Sequence, residues 1–250
     1  MAQLRSIMIH DQVYLSLRRA IMSGHFKPGD QLSARGLAKD FGISQMPVRD
    51  ALNRLTSDRA VERTGDRRYC IPNLDAEYVA DLRTARVINE GAATAIAAGK
   101  MTKKAMQEII RAQELIEEAA KYSLSADELG QDDVSEYVFL NKQFHFAIYK
   151  AAESPVLLSI IETLWLRYAP GIALYLHINF DNANKTELGR INKAHHSSHK
   201  RIIRALKTGD AEKSRAMMIE DITPYEKIIE ATQSDHTERK SQKHITDFIE

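Results

Sequence analysis

The sequence predicts a mainly α chain in two unequal parts, and three observations carry that prediction. Three short helical periods are followed by a two-stranded alternating stretch within residues 11–71. From residue 75 onward, apolar residues recur at helical spacing almost without a break. Positive charge gathers in the first part: residues 1–74 hold 12 Lys/Arg against 7 Asp/Glu, whereas the remainder holds 23 against 27. A small basic unit joined to a larger, slightly acidic one points to a polyanionic partner for the first part.

The first helix is read over residues 11–22. Val13, Tyr14, Leu17, Ala20 and Ile21 keep the helical period, Asp11 suits the N-cap and Gly24 the stop. Pro28-Gly29-Asp30 is a turn. Ser33 caps a short second helix that ends at Gly42, with Leu37, Ala38 and Phe41 on one face. Ser44 caps a third helix to about Ser57, with Val48, Ala51, Leu52 and Leu55 inward. Residues 60–64 and 67–71 alternate around Gly65-Asp66, a two-residue hairpin turn. Three helices and a hairpin are the order of a winged helix-turn-helix. The unit is expected to span residues 1–73.

Helices are then expected near 75–98, 102–121, 133–152, 155–178, 190–208 and 210–232, with Pro170-Gly171 kinking the fourth. They form an antiparallel bundle over residues 74–233, followed by a polar tail, 234–250. Cys70 is the one cysteine in the chain, which excludes an intrachain disulfide and a cysteine-based zinc finger. Glu162 and Arg167 interrupt the most apolar run, so no membrane span is expected. No secretory signal is read at the N-terminus, so the expected location is cytoplasmic.

The third helix has the build of a groove-reading helix: an apolar back and a polar front near its N-terminus. Gln45 and Arg49 are four apart and share the face opposite Val48 and Leu52. Arginine pairs with guanine and glutamine suits adenine. Ser44 and the helix N-terminus suit a phosphate. Arg35 is placed on the second helix, and Arg63, Arg67 and Arg68 put positive charge on the wing.

Residues 14–71 resemble the GntR family of bacterial regulators, through "LRRAIMSGHFKPGDQLSARGLAKDFGISQMPVRDALNRL" and "AVERTGDRRYCIP". The resemblance implies dimers on double-stranded operator DNA, with Arg35, Ser44, Gln45, Met46 and Arg49 contacting DNA and Arg67 and Arg68 approaching from the wing. Repression is the commoner role. The position of Gln45 is usually Arg in that family, and the usual later glycine of the wing is missing.

The helical part resembles the FCD domain of the FadR-type subfamily, through "LRTARVINEGAATAIAA", "FLNKQFHFAIYKAAESPVLLSIIETL" and "HKRIIRALKTGDAEKSRAMMIEDI". That resemblance implies a bundle enclosing a cavity for a small organic acid, often beside a divalent metal. Spacing gives an independent argument for the metal. Asn141 and His145 lie four apart on one helix. His199 and Asp221 lie at similar distances from a hinge at Gly209-Asp210, hence at similar depth. One amide oxygen, two imidazoles and one carboxylate suit Zn²⁺, Ni²⁺ or Mn²⁺. Metal-binding relatives usually carry an Asp and three His, so Asn141 here stands for the Asp and Asp221 for the last His. A buried hydrogen-bonded network without metal is the alternative.

Arg86 and Glu90 have the spacing of an intrahelical ion pair, yet the resemblance implies that the arginine clamps an effector carboxylate. Tyr149 and Tyr168 are further effector candidates, with Trp165 and Tyr175 as cavity or core aromatics. His195 and His196 are read as surface residues. The competing function is a metal-dependent enzyme using His145, His199 and Asp221, but no GxSxG, HExxH or Walker motif accompanies them. The expected function is therefore a ligand-responsive regulator, most simply a repressor, and not an enzyme.

Overall fold

A computed structural model describes residues 2–65, 68–125, 131–182 and 185–222. The first unit is built from α1 (Ala2–Met22), β1 (Gln31–Leu32), α2 (Ala34–Asp40), α3 (Gln45–Ser57), β2 (Glu62–Thr64) and β3 (Arg68–Cys70). α1 begins well before Asp11, which is therefore an exposed mid-helix residue and not a cap. Nothing in residues 2–10 breaks a helix, and Arg54 reaches Asp11 at 2.6 Å from α3. Ser33 does cap α2, accepting from the backbone N–H of Gly36. Ser44 occupies the N-cap of α3 but makes no side-chain capping bond.

The hairpin forms as expected and gains a third strand that periodicity did not reveal. β3 pairs antiparallel with β2 (Arg63 opposite Tyr69) and with β1 (Leu32 opposite Tyr69). A two-residue strand is too short to show alternation, so β1 exists by pairing alone. Tyr69 donates to Asn53 Oδ1 at 2.8 Å and fastens the wing to α3. Cys70 is buried, and burial followed by the Glu62 carboxylate pushes its thiol up to about 12, so it is held neutral.

Asp75 caps the next helix through the backbone N–H of Tyr78. The bundle comprises α4 (Ala76–Lys100), α5 (Lys103–Ser125), α6 (Gln131–Ala151), α7 (Pro155–Asn182), α8 (Lys185–Thr208) and α9 (Ala211–Ile222). Residues 223–250, including the expected end of the last helix and the tail, lie outside the described residues. α4 packs along α9, α5 along α6, and α8 folds back on α9 through Gly209, whose φ of +69° suits glycine. The stretch Pro155–Leu176 of α7 is long and apolar enough to cross a membrane by length and composition alone. It is the core helix of the bundle: Trp165, Leu166, Tyr168 and Ala169 are fully buried.

α7 also carries the first unit. Glu162 meets Arg18 at 3.3 Å, and Arg167 donates to the backbone oxygen of Asp58 at 2.8 Å. Gly24 sits against Ala173 and Val138, and a Cβ there would lie 2.9 Å from the Ala173 Cβ. Glycine is needed twice over at this position, for its φ of +74° and for this close approach.

Candidate functional site

α3 buries Pro47, Val48, Ala51, Leu52 and Leu55 and turns Gln45, Met46 and Arg49 to solvent. Pro47 is tolerated because its missing N–H falls in the first turn. Met46 is a large apolar side chain, 66% exposed among the described residues. Arg35 and Ser44 are exposed beside this face, and Arg68 is exposed at the start of β3. Arg67 lies outside the described residues. Each described member of the expected contact set is thus exposed.

In the bundle, α6, α8 and α9 bring His145, His199 and Asp221 together. One ligand atom from each lies within 4.8 Å of the others, and all three side chains are buried. His145 Nε2 is 3.3 Å and His199 Nε2 3.8 Å from Asp221 Oδ2. The outer nitrogen of each ring is fixed by a neighbour. The Tyr149 hydroxyl gives its proton to Glu90 in a short bond, so its oxygen must accept from His145 Nδ1 at 3.2 Å. The Gln113 amide nitrogen points at Glu117 and His196, so its oxygen accepts from His199 Nδ1 at 2.6 Å. Both Nε2 atoms face the Asp221 carboxylate, and that of His199 has no hydrogen-bond partner.

This leaves acceptors facing acceptors. His199 Nε2, both oxygens of Asp221 and Asn141 Oδ1 are buried with no hydrogen-bond partner. A doubly protonated His145 would answer one Asp221 oxygen and leave the others bare. Burial by itself would raise the Asp221 carboxyl, but His199 and His145 beside it hold it well below the usual carboxylate range. Burial, reinforced by His195, holds His199 neutral by lowering its pKa well below that of a free imidazole. A buried group of unsatisfied acceptors carrying one negative charge has the donor chemistry of a divalent cation site, and Tyr149 and Gln113 act as the outer partners that orient such ligands.

A cavity of about 440 Å³ opens onto Asn141 and Asp221. Ile172, Tyr175 and Leu176 of α7 form one wall, and Tyr137, His195 and Arg201 line it elsewhere. Of the four aromatics considered from the sequence, Tyr175 alone lines it. Tyr149 and Tyr168 are core. Arg86 is bidentate to Glu90 at 2.6 and 3.2 Å, and its guanidinium lies over Tyr168 at 4.1 Å and Trp165 at 4.9 Å. The arginine assigned to an effector carboxylate is engaged by a carboxylate of its own helix.

The reading of His195 as a surface residue is overturned. It is half-buried at the cavity wall, its ring centroid is 4.1 Å from that of His199, and its Nδ1 is 2.7 Å from the Tyr137 hydroxyl. Burial lowers its pKa to about 4. His196 is half-buried against Gln113. Spacing held the clue: Tyr137, Asn141, His145 and Tyr149 recur every four residues on α6, as His195 and His199 do on α8. Gln113 carries no such signal, because its role depends on how α5 meets α8.

Comparison with known proteins agrees with both parts. The FCD domain family matches residues 81–223 and the bacterial regulatory proteins of the gntR family match residues 9–70. The HTH-type transcriptional regulator McbR of Escherichia coli (strain K12) is 31% identical over 209 residues, covering 84% of this chain and 87% of that protein. The gluconate operon transcriptional repressor of Bacillus subtilis (strain 168) is 25% identical over 213 residues, covering 84% and 79%. The solved structure of E. coli McbR/YncC superposes with a TM-score of 0.77 at 26% identity, covering 90% of this chain and 99% of that one.

Proposed function

This chain belongs to the GntR family of transcriptional regulators and carries an FCD effector-binding domain, and on that footing we propose that it is a repressor that binds a palindromic operator as a homodimer and responds to a small carboxylate held beside a divalent metal. The observation that carries this reading is the pairing of an exposed polar recognition face on α3 with a cavity whose floor is a buried cluster of unsatisfied acceptors. Its expected location is the cytoplasm, with the DNA it regulates.

On the DNA side, Arg49 and Gln45 would read base edges in the major groove, and Ser44, Arg35, Arg67 and Arg68 would hold phosphates. Met46 would pack against a thymine methyl or sugar. The two-fold symmetry of a palindrome calls for two copies of the chain.

In the bundle, His145, His199 and Asp221 would hold the metal ion, Zn²⁺, Ni²⁺ or Mn²⁺, with Asn141 as a further oxygen donor. Once bound, the ion supplies positive charge at the cavity floor. Arg201, which meets Glu220 at 3.3 Å, and Tyr175 would orient a carboxylate ligand above it. Arg86, Tyr149 and Tyr168 support the site from behind, through the chain Arg86–Glu90–Tyr149–His145. The signal would travel along α7, which forms a cavity wall at Ile172 and Tyr175 and carries the DNA-binding unit at Glu162, Arg167 and Ala173. A ligand that binds one arrangement of α7 better than another would change the placement of α3.

The test is a gel shift with DNA flanking the chain's own gene, over a salt series, with Arg49→Ala beside the wild type. Binding that weakens steeply with salt and is lost in the variant is expected. Binding that Arg49→Ala leaves intact overturns the assignment of α3 as the reading helix.

A further inference from the structure

A second and larger groove, of about 790 Å³, lies between α1 of the DNA-binding unit and helices α5, α6 and α7 of the bundle. It is separate from the cavity described above and shares no lining residue with it. Five cationic side chains line it, Arg18, Arg19, Arg111, Lys142 and Lys150, against two carboxylates, Glu108 and Glu162. The two carboxylates that line the groove leave Lys142 and Lys150 unpaired. Glu162 is taken by Arg18, whose Nε is nevertheless buried with no partner. Arg111 turns to Glu114 and Glu118. Among the described residues, neither Lys142 nor Lys150 has a carboxylate within ion-pair distance.

Lys142 is half-buried, with its ammonium 5.5 Å from the Phe146 ring centroid. Between the cations the walls are apolar, with Leu15, Met22, Leu115 and Phe146. Leu15 is 48% exposed although it lies on the helix that joins the two units. Uncompensated positive charge in a partly dry, apolar-walled groove is a recognition surface for an anion with an apolar body.

We propose that this groove is a second ligand site, taking a small organic anion whose charged group meets Lys142, Lys150 and Arg18 and whose apolar part lies on Leu15 and Phe146. Because Arg18 holds Glu162 across the boundary between the two units, an anion that engages Arg18 competes with that contact. The site would therefore act on the placement of the DNA-binding unit independently of the bundle cavity. Burial lowers the Lys142 pKa to about 8, and a bound anion would raise it again.

The experiment is titration calorimetry on the full-length protein at low salt with a chelator present, using phenyl phosphate as the probe and inorganic phosphate as the control. Phenyl phosphate should bind saturably at one site per chain and more tightly than inorganic phosphate. Lys142→Gln with Lys150→Gln should weaken it by about tenfold or more, and Lys150→Gln alone by a few-fold. Lys150 is exposed, so that single variant answers even if the double variant fails to fold. Glu162→Gln should tighten binding, since it releases Arg18. No saturable binding at millimolar probe overturns the proposal. So does equal binding of inorganic phosphate, or binding that survives both lysine variants and is lost in Arg201→Gln of the other cavity.

Discussion

The two units place their polar residues in opposite ways. On the DNA-binding unit, Arg35, Gln45 and Arg49 are exposed on a packed apolar back. In the bundle, Arg86, Glu90, Asn141, His145, His199 and Asp221 are all buried. An exposed polar face costs the fold almost nothing, because water serves it until DNA replaces the water. A buried polar cluster is stable only as a complete set, since each member removed leaves another unsatisfied. The first unit should therefore tolerate loss of function without loss of fold, whereas in the second the two are bound together.

The largest expected effect tests that bond directly. Arg86→Met leaves Glu90 buried without its cation and should cost about 3–5 kcal/mol in chemical denaturation. It should also release Tyr149 from its position on His145. A loss below about 1 kcal/mol would show that the bundle tolerates an incomplete set after all, contrary to the rule for buried ion pairs.

Acid should act next, on the bundle. With chelator present, His195 and His199 are neutral in the folded chain, and both have pKa values below the unfolded value of 6.5. The unfolded chain binds protons first, so stability should fall as the pH drops from about 6.5 toward 4, and fall further as Asp221 loses its charge below that range. Bound metal should shift this loss to lower pH, because it competes with protons for the same nitrogens. A denaturation midpoint flat over pH 6.5 to 4 would break the comparison.

The DNA-binding unit supplies the converse. Arg49→Ala should weaken operator binding by about 1–3 kcal/mol while leaving the unfolding midpoint unchanged. A lowered midpoint would mean that this face is not free of the fold. The smallest effect sharpens the same point within one motif. Ser33→Ala removes a capping bond that exists and should cost about 1 kcal/mol, whereas Ser44→Ala removes none and should cost less than about 0.5 kcal/mol. Its effect should instead be seen in DNA binding.

Legibility follows the same division. Each helix of the DNA-binding unit was read from its own period and stops, and the reading face of α3 follows from Gln45 and Arg49 lying opposite Val48 and Leu52. The start of α1 was missed because Asp11 resembles a cap, although no breaker precedes it. β1 was missed because two residues carry no period. In the bundle the convergence of His145, His199 and Asp221 was legible, since a single hinge at Gly209 puts His199 and Asp221 at equal depth. His195 is legible in principle, four residues before His199 on the same helix, but its own period does not distinguish it from a surface residue.

The sequence by itself determined which residues share a helix face: apolar against polar on α3, Tyr137 with Asn141 and His145 on α6, His195 with His199 on α8, Arg86 with Glu90 on α4. Only the tertiary structure decided which face meets which. It turned Arg86 onto Glu90 and the Trp165 and Tyr168 rings and away from the cavity, set Gln113 of α5 behind His199, and gave the cavity Tyr175 and Arg201. The physical reason is that helical periodicity is a local property of about four residues, while the rotation of one helix against another is settled by the packing of the whole core.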